Sequence, residues 1–307
     1  MTKKFLIFIL VYLCLISSSY AEKILVGLIY PFAASSSQSN YLRELANEAN
    51  QQQSKYFFFV NVKTGGSGVV AVNHVLTQSG INLLSTSAGS FFTRVELYPE
   101  ASWNPDEFQP LLIECNDMPY IIVSKKYKSL SELKNQKRLT IGMISGHLTE
   151  LIAIEFKKQL PNTELSFIYY PSTSAGTKDV LGDILDLNVD VPASATPWIN
   201  DKKLFAIGAT GNKKYKGFTS FEDQGIAGFK YLTASWFLLN KKTLDAEASK
   251  EIKQILVKAN QSEGIKKLYA IDYCSPGDNN LVESSFNFAG SYWPKTAKKL
   301  FKSKVDN

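Results

Sequence analysis

From residue 24 onward the chain alternates short apolar runs with stretches of helical periodicity. Runs at 24–30, 56–62, 81–84, 120–124, 140–144, 167–170, 204–207 and 232–239 have the length and residue types of strands. Helical patterns are expected between them, at about 40–50, from Gly65–Gly68 through Val75, around 151–156, over 177–185 and over 246–261. Ser129 and Glu132 form a capping-box start for one more helix. Strands alternating with helices restrict the chain to the α/β class, with largely parallel sheets covered by helices.

Several of these strands run into small, hydroxyl-rich turns that open directly into a helix: Phe32 to Ser39, Thr64 to Gly68, Ser85 to Ser90, and Ser145 to Thr149. The first turn of a helix has N–H groups with no intrahelical partner and carries partial positive charge. Such a terminus binds an anion without lysine or arginine. In open α/β sheets ligands bind beyond the carboxyl ends of strands, where these turns gather. Each turn alone is compatible with ordinary capping by Ser or Thr, but four in one chain point to a site for a carboxylate-sized anion.

The first residues bear on the compartment. Lys3 and Lys4 precede an unbroken apolar stretch over 5–16, and the small residues Ser19 and Ala21 end it. This is the three-part pattern of a secretory signal, shorter than the roughly 20 apolar residues a membrane span needs, and cleavage is expected after Ala21. The net charge then falls from +6 to +4, because two lysines and no acids leave with the leader. No basic run interleaved with aromatics suggests nucleic acid. Of the remaining cysteines, Cys115 and Cys274 are compatible with a disulfide in an oxidising compartment and equally with two separate buried thiols. His74 and His147 lack partners at metal-ligand spacing, so no metal or other cofactor is expected.

Ordered landmarks then link the chain to a known family. Tyr30-Pro31-Phe32-Ala33-Ala34-Ser35-Ser36-Ser37, Gly65-Gly66-Ser67-Gly68 and Gly80-Ile81-Asn82-Leu83-Leu84-Ser85-Thr86-Ser87 lie in the first part of the chain. Lys128-Ser129-Leu130-Ser131-Glu132-Leu133, the segment 179–187, Asp190, the segment 218–229 and Ala234-Ser235-Trp236-Phe237 follow in register. The series resembles the Bug receptors, the extracytoplasmic solute-binding proteins of tripartite tricarboxylate transporters. Ser35 to Ser37 stand where that family has glycines, and Gln38-Ser39-Asn40 departs from its usual Ser-Asp or Ser-Thr. Hydroxyls there add donors and acceptors to a site otherwise made of backbone. The loop Ser145-Gly146-His147-Leu148-Thr149 is also shorter than the family's Ser/Gly-rich version.

The resemblance implies a two-lobed, type II periplasmic-binding-protein fold, with two α/β domains joined by a two-strand hinge near Tyr120 and Tyr231. The N-terminal lobe would comprise 22–120 and 231–307, the second lobe 121–230, and the leader 1–21. The implied function is capture of a small organic carboxylate in the periplasm by a monomeric, non-enzymatic receptor, and delivery to the permease subunits of the transporter. A ligand-binding subunit of a sensing pathway would share fold and site. A periplasmic hydrolase is disfavoured by the missing nucleophile elbow, P-loop and zinc spacing. The expected ligand-binding residues are Phe32, Ala34, Ser35 and Ser36 from the first lobe, with Thr86 and Ser87. Gly146, His147 and Thr149 form the opposite jaw, with Tyr170, Ser174 and Asp190 beside it.

Overall fold

A computed structural model describes residues 22–98, 103–211, 215, 217–243 and 245–305, so the expected leader 1–21 lies outside the described residues. The first lobe is built on β1 (Ile24–Tyr30), β2 (Tyr56–Val62), β3 (Ile81–Ser87), β4 (Phe108–Met118) and β10 (Thr233–Asn240), in the order β2-β1-β3-β10-β4. The second is built on β5 (Ile121–Ser124), β6 (Arg138–Met143), β7 (Glu164–Tyr169), β8 (Leu187–Asp190) and β9 (Phe205–Ala209), in the order β7-β6-β8-β5-β9. The chain leaves the first sheet at Met118, enters the second at Ile121, and returns to the first at Thr233.

The sheets are mixed rather than purely parallel, which corrects the sequence expectation. In the first sheet β1 runs parallel to β2 and β3, but β10 is antiparallel to β3 and β4. In the second, β6 is parallel to β7 and β8, whereas β5 is antiparallel to β8 and β9. β5 and β10 are the strands by which the chain arrives from the other lobe, so the direction of each follows from the crossing and not from a βαβ connection.

The helices are α1 (Ser37–Gln52), α2 (Val69–Thr77), α3 (Ala88–Leu97), the short α4 (Leu130–Leu133), α5 (Leu148–Lys157), α6 (Thr173–Leu181), α7 (Pro192–Asn200), α8 (Ala246–Ala259), α9 (Glu263–Asp272) and α10 (Val282–Val305). β4, α7 and α9 were not anticipated from the sequence. Among the described residues no helix is long and apolar enough to cross a membrane.

One face of the first sheet packs on α1 and α8 through Leu42, Leu45, Phe58, Phe237, Ile252 and Leu256. The opposite face continues without a break into the second lobe: Phe91, Phe92, Trp236 and Phe286 share one apolar core with Leu148, Leu151, Phe156 and Ile141. Apolar burial of this kind contributes roughly 25 cal/mol per Å2, and here it fastens the lobes along one side. α10 lies against both α3 and α5, and α9 lies between α1 and α7, so the C-terminal segment touches both lobes. Cys115 in β4 is disulfide-bonded to Cys274, 159 residues on, with Cα atoms 5.7 Å apart. Beside it Asn116 and Ser275 exchange backbone hydrogen bonds of 2.8 and 2.9 Å.

Candidate ligand-binding site

A cavity of about 380 Å3 lies between the lobes, and residues of both line it. Five helices of nine residues or more begin at its wall. Ser36, Ser87 and Ser172 cap α1, α3 and α6, their hydroxyls accepting from the backbone N–H of Ser39, Ser90 and Ala175. His147 caps α5, its Nδ1 accepting from the Thr149 N–H, and Val191 precedes α7, which starts on Pro192. All five capping residues line the cavity. Ser, and Pro in the first turn, are the residues that stop a strand and start a helix. The same local chemistry therefore turns the positive ends of five helix dipoles toward one space.

The described residues that line the cavity include no Lys, Arg, Asp or Glu. Phe32, Ser35, Ser36, Thr86, Ser87, His147 and Ser174 of the sequence-expected set do line it. Phe32 and His147 meet edge to face across the two lobes, with ring centroids 5.4 Å apart, and the Tyr120 ring is 5.9 Å from His147 on another side. His147 is buried, and burial pushes its imidazolium down to about 3, so the ring is neutral at ordinary pH. Nδ1 accepts from Thr149, which places the ring proton on Nε2.

Five expected residues do not line the cavity. Asp190 is fully buried beneath it; its carboxylate accepts from the Val191 N–H at 2.8 Å, the Ser194 hydroxyl at 2.8 Å and the Thr177 hydroxyl. Burial raises its carboxyl above the ordinary value while these bonds oppose the rise. A carboxylate so enclosed organises the starts of α6 and α7 and is out of a ligand's reach. Thr149 is buried, its hydroxyl accepting from the Ile144 N–H at 3.0 Å. The Gly146 N–H is taken by Glu150 at 2.8 Å, and with a φ of +66° a Cβ there would lie 2.6 Å from the Arg94 side chain. The Tyr170 hydroxyl donates to Asp179 at 2.7 Å. Ala34 is exposed and offers its carbonyl to Arg43 at 3.0 Å. The turn at Thr64 to Gly68 also lies off the cavity; its positive φ at Gly65, Gly66 and Gly68 accounts for the glycines.

Other contributors were missed. Cys115, Leu268, Tyr269, Ile271 and Cys274 bring an apolar wall from β4 and α9, which no local motif announces. Beneath the cavity lies Glu114, whose side chain is fully buried. Its Oε2 accepts from Gln38 Nε2 at 2.9 Å and Ser85 Oγ at 3.1 Å, and burial pushes its carboxyl up to about 8. The signal available in the sequence was a lone acid inside the apolar run Leu111-Leu112-Ile113-Glu114-Cys115. Among the described residues no group of three or more His, Cys, Asp or Glu side chains is placed to hold a metal ion.

No protein-family model and no curated protein sequence matches the chain, but solved structures do. The periplasmic binding protein BugD superposes with a TM-score of 0.79 at 21% identity, covering 90% of this chain and 97% of that one. An R. palustris protein with adipate gives 0.80 at 16% identity, covering 90% and 97%. MatC from Rhodopseudomonas palustris with bound malate gives 0.77 at 15% identity, covering 89% and 98%. The fold is thus the two-lobed fold of the periplasmic binding proteins.

Proposed function

We propose that this chain is an extracytoplasmic solute-binding receptor of the Bug type. It captures a small organic carboxylate between its lobes and passes it to the membrane permease subunits of a tripartite tricarboxylate-type transporter. The observation that carries this reading is the meeting of five helix N-termini at one interlobe cavity whose described lining has no charged side chain. First-turn N–H groups, serine hydroxyls and the His147 Nε2–H are donors suited to carboxylate oxygens, and they cost no counter-charge when the site is empty. The adipate and malate bound by two structural neighbours are of the same chemical class.

In this reading residues 1–21 are a leader removed after Ala21, and the mature chain works in the periplasm as a monomer. Residues 22–120 with 231–307 form one lobe and 121–230 the other. Ligand enters while the lobes are apart and is held when they close about the strands near Tyr120 and Tyr231. Nothing in this cycle makes or breaks a covalent bond, so bound ligand leaves unchanged.

The test is a thermal-shift screen of residues 22–307, freed of endogenous ligand, against mono-, di- and tricarboxylates, sugars and cations. A ligand at about 100 times its Kd stabilises by roughly 2.7 kcal/mol, a shift of several degrees. A hit confined to carboxylates supports the receptor. Hits only among sugars or cations, or chemical turnover of a bound acid, would overturn it.

A further inference from the structure

One wall of the interlobe cavity is the chemical reverse of the helix-opening turns. Met118 of β4, Leu268 and Ile271 of α9, and the Cys115–Cys274 disulfide present carbon and sulfur there, and the sulfurs, joined to each other, offer no thiol. Tyr41 and Tyr269 line the cavity beside them, but their hydroxyls point into the interior, each donating to Asn260 Oδ1 at 2.6 Å through a buried bond. What these two stacked rings, 5.9 Å apart, show the cavity is therefore carbon. Ile271 is 45% exposed, and Pro197 of α7, which also lines the cavity, is exposed as well. Apolar surface left in water at a cavity is surface that a ligand gains by covering.

This wall stands beyond the helix N-termini and not among them. α1 begins at Ser37 and lines the cavity again at Tyr41, and α7 begins at Pro192 and lines it again at Pro197. At roughly 1.5 Å of rise per residue, those later positions lie about 6–8 Å past the helix starts. α9 packs on α1 and on α7, so its apolar face meets both helices at that depth.

Building on the carboxylate reading above, we infer that the cargo is a monocarboxylate with an apolar body, an aryl or medium-chain acid, and that Leu268 and Ile271 set this preference. The helix N-termini hold the carboxylate, and the body runs along α1 and α7 to the α9 wall. A second carboxylate at the far end of such a body would lose its hydration against carbon and sulfur without gaining a donor. Each methylene that reaches the wall strengthens binding about fourfold.

The experiment is calorimetric titration of residues 22–307 with matched acids: butyrate, hexanoate and adipate as a chain series, benzoate and terephthalate as an aryl pair. In the wild-type protein hexanoate is expected to bind about tenfold more tightly than butyrate, which is too short to reach the wall. Hexanoate and benzoate should each bind about tenfold or more tightly than the diacid of the same skeleton. Ile271→Gln, at an exposed helical position that tolerates glutamine, should cut the hexanoate advantage over butyrate to about threefold or less while butyrate binds as before. Leu268→Gln should do the same and serves as the second variant. Diacids that bind as tightly as their matched monoacids would overturn this inference and leave the carboxylate receptor standing. So would a hexanoate advantage that survives both substitutions, or a loss shared equally by butyrate and hexanoate, which is the mark of a purely structural role. Binding of none of these acids would instead remove the carboxylate reading, and this inference with it.

Discussion

His147 Nδ1 accepts the Thr149 backbone N–H at 3.2 Å and lies 3.2 Å from the Thr149 hydroxyl, so the ring that faces Phe32 across the cleft also caps the helix behind it. A protonated imidazole could not accept at Nδ1, and burial already disfavours the charge.

This gives an acid-sensitivity prediction. The unfolded chain takes up a proton near the ordinary 6.5, whereas the native ring resists protonation down to about 3. Stability from this group is complete above pH 6.5 and falls as pH drops toward 3. His147→Asn keeps a capping acceptor without the titration. Its melting temperature should fall less steeply than that of the wild type over this range, as measured by circular dichroism.

Glu114 has the opposite sign. Its native carboxyl keeps a proton up to about 8, while the unfolded chain releases it near 4.5, so stability declines as pH rises through that window. Glu114→Gln removes the penalty and should raise the melting temperature relative to wild type more at pH 8 than at pH 5. A constant difference across pH would mean the carboxyl does not titrate as described.

The Cys115–Cys274 disulfide closes a long loop and holds the α9 wall of the cavity on β4. Cys115→Ala with Cys274→Ala should cost about 2–4 kcal/mol in urea unfolding. Ligand affinity should fall as well, because Leu268, Tyr269 and Ile271 lose their tether. Equal affinity in the oxidised and doubly substituted proteins would show that the wall is held by packing alone.

Asp190→Ala should destabilise by about 2–3 kcal/mol, because the buried Thr177 hydroxyl, the Ser194 hydroxyl and the Val191 N–H lose their acceptor. Asp190→Asn retains an acceptor oxygen and should cost less. Binding should weaken in proportion to the disturbed starts of α6 and α7, since Asp190 itself does not line the cavity. Weaker binding with unchanged stability would place Asp190 in the site after all.

Much of the local structure was legible in advance. The strands 24–30 and 56–62 match β1 and β2 at both ends, and the Ser129 cap with Glu132 is present, the Ser129 hydroxyl accepting from the Glu132 N–H at 3.3 Å and Glu132 accepting in turn from the Lys128 N–H at 2.8 Å. Apolar periodicity and capping act within a few residues, so one sequence window contains their cause. The helix-opening turns at Ser36, Ser87 and His147 were readable for the same reason. By contrast the sequence assigned α6 to about 177–185, and the structure starts it at Thr173, because Ser172 was not recognised as its cap.

What the sequence by itself determined is therefore the alternation of strand and helix and the chemistry at the ends of the elements. It could not say which of those ends face a common space. Asp190 and Ser194 are four residues apart, yet one is sealed and the other lines the cavity. Glu114 meets Gln38 and Ser85 across separations of 76 and 29 residues, and Cys115 meets Cys274 across 159. Such contacts depend on how two sheets exchange strands and where the C-terminal helices settle. Burial is a property of that arrangement, and burial keeps His147 neutral and raises the Glu114 carboxyl.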